Sequence, residues 1–416
     1  MPAQARVIAL TDTFERAEES YPRLASMPPV RHPLLKAFEQ AESGQLLLKT
    51  PEGHTHSFGR GGAGQEAHLR LHSWQALDAL LSRGEIGFAE AYMDGLWETD
   101  DLPSLLTFGL ANANTLENYF YGRPLYALWT RSMSMLRGNS IRGSRRNIMK
   151  HYDLGNEFYE LWLDKSMTYS GAIFGNNRSL SLEEAQQTKY HRILDKLDSK
   201  PGDHILEIGC GWGGFAEAAA RESTRVTGVT ISEAQKAYAD ERLFNAGLDD
   251  LATIELIDYR KVEGQFDHIV SIGMFEHVGE KYWPTYFDTI KSRLKPGGKA
   301  MVQTITIDDE IFERTRGKYG FIETYIFPGG LLPSKTLFRK AAEDAGLKCC
   351  ETFSFGQDYA LTLTHWLERF NTHENDIKAM GYGDDFIRMW RMYLASCIAA
   401  FTTGRTDVMQ AELMHA

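Results

Sequence analysis

Cysteine is scarce in this chain: four among 416 residues, at positions 210, 349, 350 and 397. Their spacing matches neither a zinc site nor a disulfide framework. That predicts no structural metal and a reducing, cytoplasmic setting. Long hydrophobic runs are missing too. No uncharged apolar stretch approaches the roughly 20 residues of a membrane-crossing helix, and the opening MPAQARVIALTDTFERAEE carries no signal-type apolar segment. Any contact with lipid is therefore expected at the surface. An excess of positive charge is also absent. The formal net charge of −11 argues against a general nucleic-acid binder. Internal repeats and low-complexity tracts are lacking. What remains is 43% hydrophobic and 24% charged, enough for a sizeable core and, over this length, for two domains.

The organisation changes along the chain. Residues 1–40 read as a helical lead-in broken by Pro28, Pro29 and Pro33. QLLLKT, the turn PEG and HTHSFG form a hairpin signal. EAHLRLH alternates, with Ala67, Leu69 and Leu71 on one face, and Ser73 is placed to cap a helix carrying Trp74, Leu77, Leu80 and Leu81. A small α+β unit is expected to close near LWETDDLPSLLTF. RGNSIRGSRRNIMK, residues 137–150, holds five basic side chains and no acidic one, and reads as a linker. From 151 onward, strands alternate with helices: HILEIG, RVTGVTI, ATIELID, DHIVSIG, KAMVQTITI, KCCETFSF and a last strand in DVMQAELM. That pattern predicts an α/β doubly wound sheet. The expected division is 1–136, a linker at 137–150, and 151–416.

HILEIGCGWGGF places four glycines, at 209, 211, 213 and 214, directly after an apolar run. Such a loop lets a ligand approach bare backbone at a helix N-terminus. A dinucleotide fingerprint needs a third glycine at a different spacing, and a phosphate loop needs Gly-Lys-Ser/Thr, which is missing. The acid-x-G-x-G-x-G pattern running from Glu207 through Gly209, Gly211 and Gly213 suits S-adenosylmethionine (SAM) instead. SAM's methionine end needs close backbone and a carboxylate for its ammonium, and it has no pyrophosphate. A purely structural turn is the alternative. At the end of the second strand Thr230 stands where an acid is expected, with Ser232 and Gln235 able to exchange hydrogen bonds. Asp258 and Tyr259, after the third strand, are candidates for the adenine edge.

The stretches HYDLGNEFYELWLDKSMTYS, LEIGCGWGG, VTGVTIS, IVSIGMFEHVG, YIFPGGLLPS and DYALTL, in this order, resemble the cyclopropane fatty acid synthase family with its mycolic acid relatives. The likeness starts near GEIGFAEAYMDGLWE at residue 84. It implies a Rossmann-like SAM methyltransferase with a mostly parallel seven-stranded sheet and a smaller N-terminal α+β domain. It also implies methylation of a cis double bond in a phospholipid acyl chain, through a carbocation that loses a proton to close a cyclopropane ring. Tyr169 and Ser170 would contact SAM. His151, Tyr152 and Asp153 would cover the cofactor or meet the lipid phosphate region.

The family holds bicarbonate as the base, bound by cysteine, glutamate, histidine, an isoleucine backbone and tyrosine. Here Glu276, Ile305 and Tyr359 match that set. Gly171 replaces the cysteine and Gln303 the histidine. The two losses tilt the expected product toward a methylated alkene or methyl-branched chain. A conventional cyclopropane synthase and a catalytically decayed lipid- or SAM-binding protein are the alternatives, with a small-molecule methyltransferase as a further rival. Tyr359, Leu363, Trp366 and Phe370 share one helical face, as a core stripe or the wall of an acyl tunnel. The basic run 137–150, at about 1 kcal/mol per residue near anionic lipid, would hold the enzyme peripherally on the inner face of the membrane. It could equally be a solvated linker. A homodimer and a downstream reductase or oxidase are the remaining expected partners.

Overall fold

The computed structural model describes residues 32–59, 66–120 and 154–416. The basic run 137–150 and His151, Tyr152 and Asp153 lie outside them, as does most of the N-terminal lead-in.

The first unit runs α1 (His32–Glu39), β1 (Gln45–Lys49), β2 (Thr55–Phe58), β3 (Glu66–Leu71), α2 (Gln75–Met93), β4 (Trp97–Glu98), α3 (Leu102–Ala111) and α4 (Ala113–Phe120). β1 and β2 form the expected antiparallel hairpin, and β3 lies parallel to β1 on its other side. Ala67, Leu69 and Leu71 all point inward, as their alternation requires. Ser73 Oγ accepts from the Gln75 N–H at 3.2 Å at the start of α2, and α2 breaks at Gly84, where φ is +58°. The unit continues past LPSLLTF, because Asp101 caps that segment into α3 by accepting from Ser104 N.

The second unit runs α5 (Asn156–Glu160), α6 (Leu182–Leu197), β5 (His204–Ile208), α7 (Gly214–Arg221), β6 (Arg225–Thr230), α8 (Glu233–Asn245), β7 (Ala252–Leu256), β8 (Phe266–Ile272), α9 (Trp283–Arg293) and β9 (Leu294–Ile307). Then follow α10 (Asp309–Thr315), α11 (Phe321–Tyr325), α12 (Lys335–Asp344), β10 (Leu347–Ser354), α13 (Gly356–Thr372), α14 (Glu374–Ala379), α15 (Asp384–Thr402) and β11 (Thr406–His415). All seven expected strands join one sheet in the order β10-β11-β9-β8-β5-β6-β7. Only β11 runs antiparallel to its neighbours. The central strands are covered on both faces, which is why they read as near-continuous apolar runs. Leu206 and Ile208 face one layer with Phe275, Tyr286 and Phe287. Ile205 faces the other with Phe215 and Leu243. The chain leaves β5 toward β6 on one side and returns to β8 on the other, opening a crevice at the carboxyl ends of these strands.

The first unit has no core of its own. Leu46, Leu69, Leu77, Trp97 and Leu105 share one contiguous apolar cluster with Trp162, Trp366, Trp390 and Tyr393. Arg388 of α15 donates to the carbonyls of Tyr92 and Trp97 and lies 4.1 Å above the Tyr92 ring.

Candidate functional site

Two cavities open at the strand ends and meet. Tyr169, Ser170, Gly273 and His277 line both. The first has the glycine loop as its floor. Glu207, Gly209, Gly211, Thr230, Gln235, Asp258 and Tyr259 all line it. Gly211 has φ +52° and nothing within 4 Å of where a Cβ would stand, so its backbone faces open space. Gly213 and Ser232 do not line the cavity. A Cβ on Gly213 would sit 2.9 Å from the Ala239 Cβ, so this glycine lets α7 pack on α8. Ser232 caps α8 by accepting from Gln235 N.

Glu207 is buried near the end of β5, and its Oε2 has no hydrogen-bond partner among the described residues. Burial pushes its carboxyl up, and the charge of Lys189 opposes that. Lys189 itself is fully buried and donates to Ser170 Oγ at 2.7 Å; burial brings its ammonium down to about 7, against the pull of Asp164 and Glu207. Thr230 Oγ1 donates to Gln235 Oε1 at 2.9 Å, which leaves the Gln235 amide nitrogen to donate onward. Arg260 holds both oxygens of Asp258, at 2.8 and 2.6 Å. Burial alone would raise Asp258, but these bonds and the guanidinium charge keep it below the usual carboxylate range.

The second cavity is mostly apolar. Glu276, Gln303, Ile305 and Tyr359 line it, while Gly171 lies just behind Tyr359. A short 3-10 turn after β8, Phe275–His277, delivers Glu276. Its Oε1 accepts the Ile305 N–H at 2.6 Å, and its Oε2 has no partner among the described residues. Burial pushes its carboxyl up to about 7, although the Ile305 bond opposes this. Burial also drives His277 down to about 4, so its ring is neutral at pH 7.

Gln303 is held in a buried relay. Its Oε1 accepts from Gln410 Nε2 at 3.0 Å, its Nε2 donates to the Gly171 carbonyl at 3.4 Å, and Arg192 donates to Gln410 from behind. The β9–β11 register, with Gln303 opposite Gln410, sets that pairing. Gly171 does not widen the cavity. The Tyr359 ring covers it so closely that a Cβ there would lie 2.8 Å from the ring. Tyr359 and Leu363 form cavity wall, whereas Trp366 and Phe370, farther along the same stripe, are packed in the core. Around the junction, the Tyr169 and Tyr393 hydroxyls are hydrogen-bonded at 2.9 Å, and Phe327 lies against His277.

A seven-stranded sheet of this order, with a glycine loop after its first strand and a lone carboxylate above it, defines a SAM-dependent methyltransferase. Within that class, residues 139–411 match the family model described as mycolic acid cyclopropane synthetase. The chain is 35% identical over 414 residues to tuberculostearic acid methyltransferase UfaA1 of Mycobacterium tuberculosis, covering 95% of this chain and 96% of that one. It is 38% identical over 355 residues to the cyclopropane-fatty-acyl-phospholipid synthase of Escherichia coli, covering 83% and 87%. A solved structure of mycolic acid cyclopropane synthase CmaA1, complexed with SAH and CTAB, superposes with a TM-score of 0.61 at 30% identity, over 65% of this chain and 97% of that one. The protein belongs to the cyclopropane synthase family and uses SAM.

The residues present fit SAM: the buried Glu207 carboxylate, whose Oε2 has no partner among the described residues, suits an ammonium, and Gly211 offers bare backbone in the same cavity. They do not form a resident bicarbonate site. The Ile305 N–H is already taken by Glu276, Gln303 is engaged at both ends, and among the described residues no lysine or arginine lines the second cavity.

Reading the sequence alone missed Lys189 and Arg260. The signal for Lys189 was present: on α6 the buried stripe Leu182, Ala185, Gln186, Lys189, Ile193 carries two polar residues three apart on an otherwise apolar face. Arg260 had no comparable signal, because its pairing follows from the turn after β7.

Proposed function

We propose that the protein transfers a methyl group from SAM to a cis double bond in the acyl chain of a membrane phospholipid. The observation that carries this reading is the junction at Tyr169, Ser170, Gly273 and His277. There the cavity with Glu207 and the glycine loop meets a more apolar one holding Glu276.

SAM, when bound, supplies an electrophilic methyl group. Glu207 and the Gln235 amide orient it, and Ser170, fixed by Lys189, holds the passage between the cavities. The alkene takes up the methyl group with its π electrons and becomes a carbocation on the acyl chain. Tyr169, Phe327, Tyr359 and Tyr393 line the second cavity, and their ring faces favour that cation while the apolar walls exclude water. Glu276 takes the proton on Oε2. A carboxyl at about 7 is ionised in part at neutral pH and basic enough to act. The charge balances: one methyl cation enters the chain and one proton leaves it.

The Gly171 and Gln303 substitutions support loss of the proton without ring closure. Cyclopropane formation is the second reading, favoured by the name of the E. coli relative. Incubation with trideuteromethyl SAM and unsaturated phospholipid vesicles, followed by mass spectrometry of the acyl chains, separates them. A product with two deuteria and no double bond is a ring. One that keeps a double bond is a methylated alkene, with three deuteria if the proton left the chain and two if it left the methyl. Absence of labelled lipid, with label on a soluble acceptor, would overturn the reading.

The basic run 137–150 supports docking on anionic lipid from the cytoplasmic side, and no helix among the described residues is long and apolar enough to cross a membrane. Salt-sensitive sedimentation with anionic vesicles tests this. Binding that is indifferent to salt or lipid charge would refute it.

A further inference from the structure

The acyl cavity does not stop at the catalytic sheet. Ile322, Glu323, Ala400 and Thr406 line both it and a further cavity. The far walls of that cavity come from the N-terminal unit: Phe38, Leu46, Leu69, Phe88, Leu105 and Phe108 among others. These walls lie outside residues 139–411, the part that the family model matches. The Glu276 cavity therefore adjoins the far cavity across α11 and α15, with Ile322, Glu323, Ala400 and Thr406 as their common wall.

We propose that this far cavity receives the methyl-terminal end of the substrate acyl chain, so that the N-terminal unit sets how much chain lies beyond the double bond. This rests on the acyl reading given above. Two observations choose the occupant. The cavity adjoins the site of methyl transfer, so an acyl chain held there by its reacting carbon has this cavity beside it to extend into. Its walls are overwhelmingly aliphatic and aromatic, which suits hydrocarbon and excludes the phosphate end of a lipid, whose charges cannot leave water. The polar lining gathers at the end nearer the Glu276 cavity, with Glu85, Glu323, Ser396, Arg405 and Thr406, and beside it the Gly320 N–H donates to Glu323 at 2.9 Å. Burial, with Glu85 beside it, pushes Glu323 up to about 7. A Glu323 that is neutral in part at pH 7 lowers the cost of an alkyl chain lying beside it.

Gly109 gives a clean test. It lines the far cavity, sits in α3, and a Cβ there meets nothing within 4 Å. Gly109→Trp should therefore fill the cavity without moving the backbone. The full-length protein is assayed with trideuteromethyl SAM on phosphatidylglycerol vesicles carrying the double bond either near the methyl end or far from it. Gly109→Trp should lose about tenfold or more on the chain with the long tail. It should keep turnover on the short tail and unchanged SAM affinity, and Gly109→Ala should behave as wild type. Leu80→Ala, which enlarges the same cavity, should move the preference toward long tails and serves if the tryptophan variant does not fold. Equal loss on both chains, or no change in preference with either variant, overturns the inference while the acyl reading stands. A wild type that labels neither chain overturns the acyl reading itself.

Discussion

The two cavities that meet at Ser170 are built by different rules. The cofactor side is made of strand ends close together in the chain: the loop after β5, the end of β6 and the turn after β7. Its polar groups are mostly paired with one another, Asp258 with Arg260 and Thr230 with Gln235. The acyl side draws on segments far apart. Ala172 N reaches Thr362 Oγ1 across 190 positions, and Tyr359 from α13 covers Gly171. Its carboxylates are left in apolar surroundings that push them toward neutrality. A ligand of fixed shape is met by local, prearranged hydrogen bonds; a hydrocarbon is met by walls with few ionisable groups.

Four substitutions probe that contrast. Glu276→Gln should lower kcat by about 10²–10⁴-fold, the range for losing a positioned acid-base group, while the Kd for SAM stays within about twofold. Parallel loss of SAM binding, read by calorimetry, would mean the two sides are not separable. Glu207→Gln should do the reverse. Removing the carboxylate weakens SAM binding by about 10–100-fold, as expected for one charge-assisted hydrogen bond of about 1.5–3 kcal/mol; an unchanged Kd would unseat Glu207 as the ammonium partner.

Gly171→Cys comes next in size. The new Cβ collides with the Tyr359 ring, so the variant should be destabilised by about 1–3 kcal/mol, seen as a lower urea midpoint. Equal midpoints would show that Tyr359 moves freely. The smallest effect is on pH dependence. Glu276 and Glu323 are raised in the folded protein from 4.5 to about 7. Each favours folding fully below pH 4.5, and that contribution is lost as pH rises through 7. Glu323→Gln should remove its share, so the Tm difference between variant and wild type should change by a few degrees between pH 5 and 8. A constant difference would show that Glu323 titrates normally.

The contrast also explains what could be read in advance. The central strands β5, β6, β8 and β9 announced themselves, since strands covered on both faces read as apolar runs, whereas β7 and β10 are largely exposed. The glycine loop announced a ligand because bare backbone there has few other uses. Placing Glu276, Ile305 and Tyr359 near one another came only through family resemblance, since nothing local links a turn after β8, a strand end and a distant helix. Gly171 read as a lost cysteine and is also a seat for the Tyr359 ring. The far cavity was invisible, because its walls read as the ordinary core of α2 and α3 until α11 and α15 were laid against them. Lys189 was overlooked because a lysine on a helix is usually solvated.

Strand β11 is last in chain order yet lies between β9 and β10. It brings Gln410 to Gln303 and covers the edges of both neighbours. During synthesis those two edges emerge first and stay unpaired until β11 clears the ribosome. Until β11 pairs, Gln303 lacks Gln410 and two strand edges stay open, so the reacting half of the crevice is the last to close.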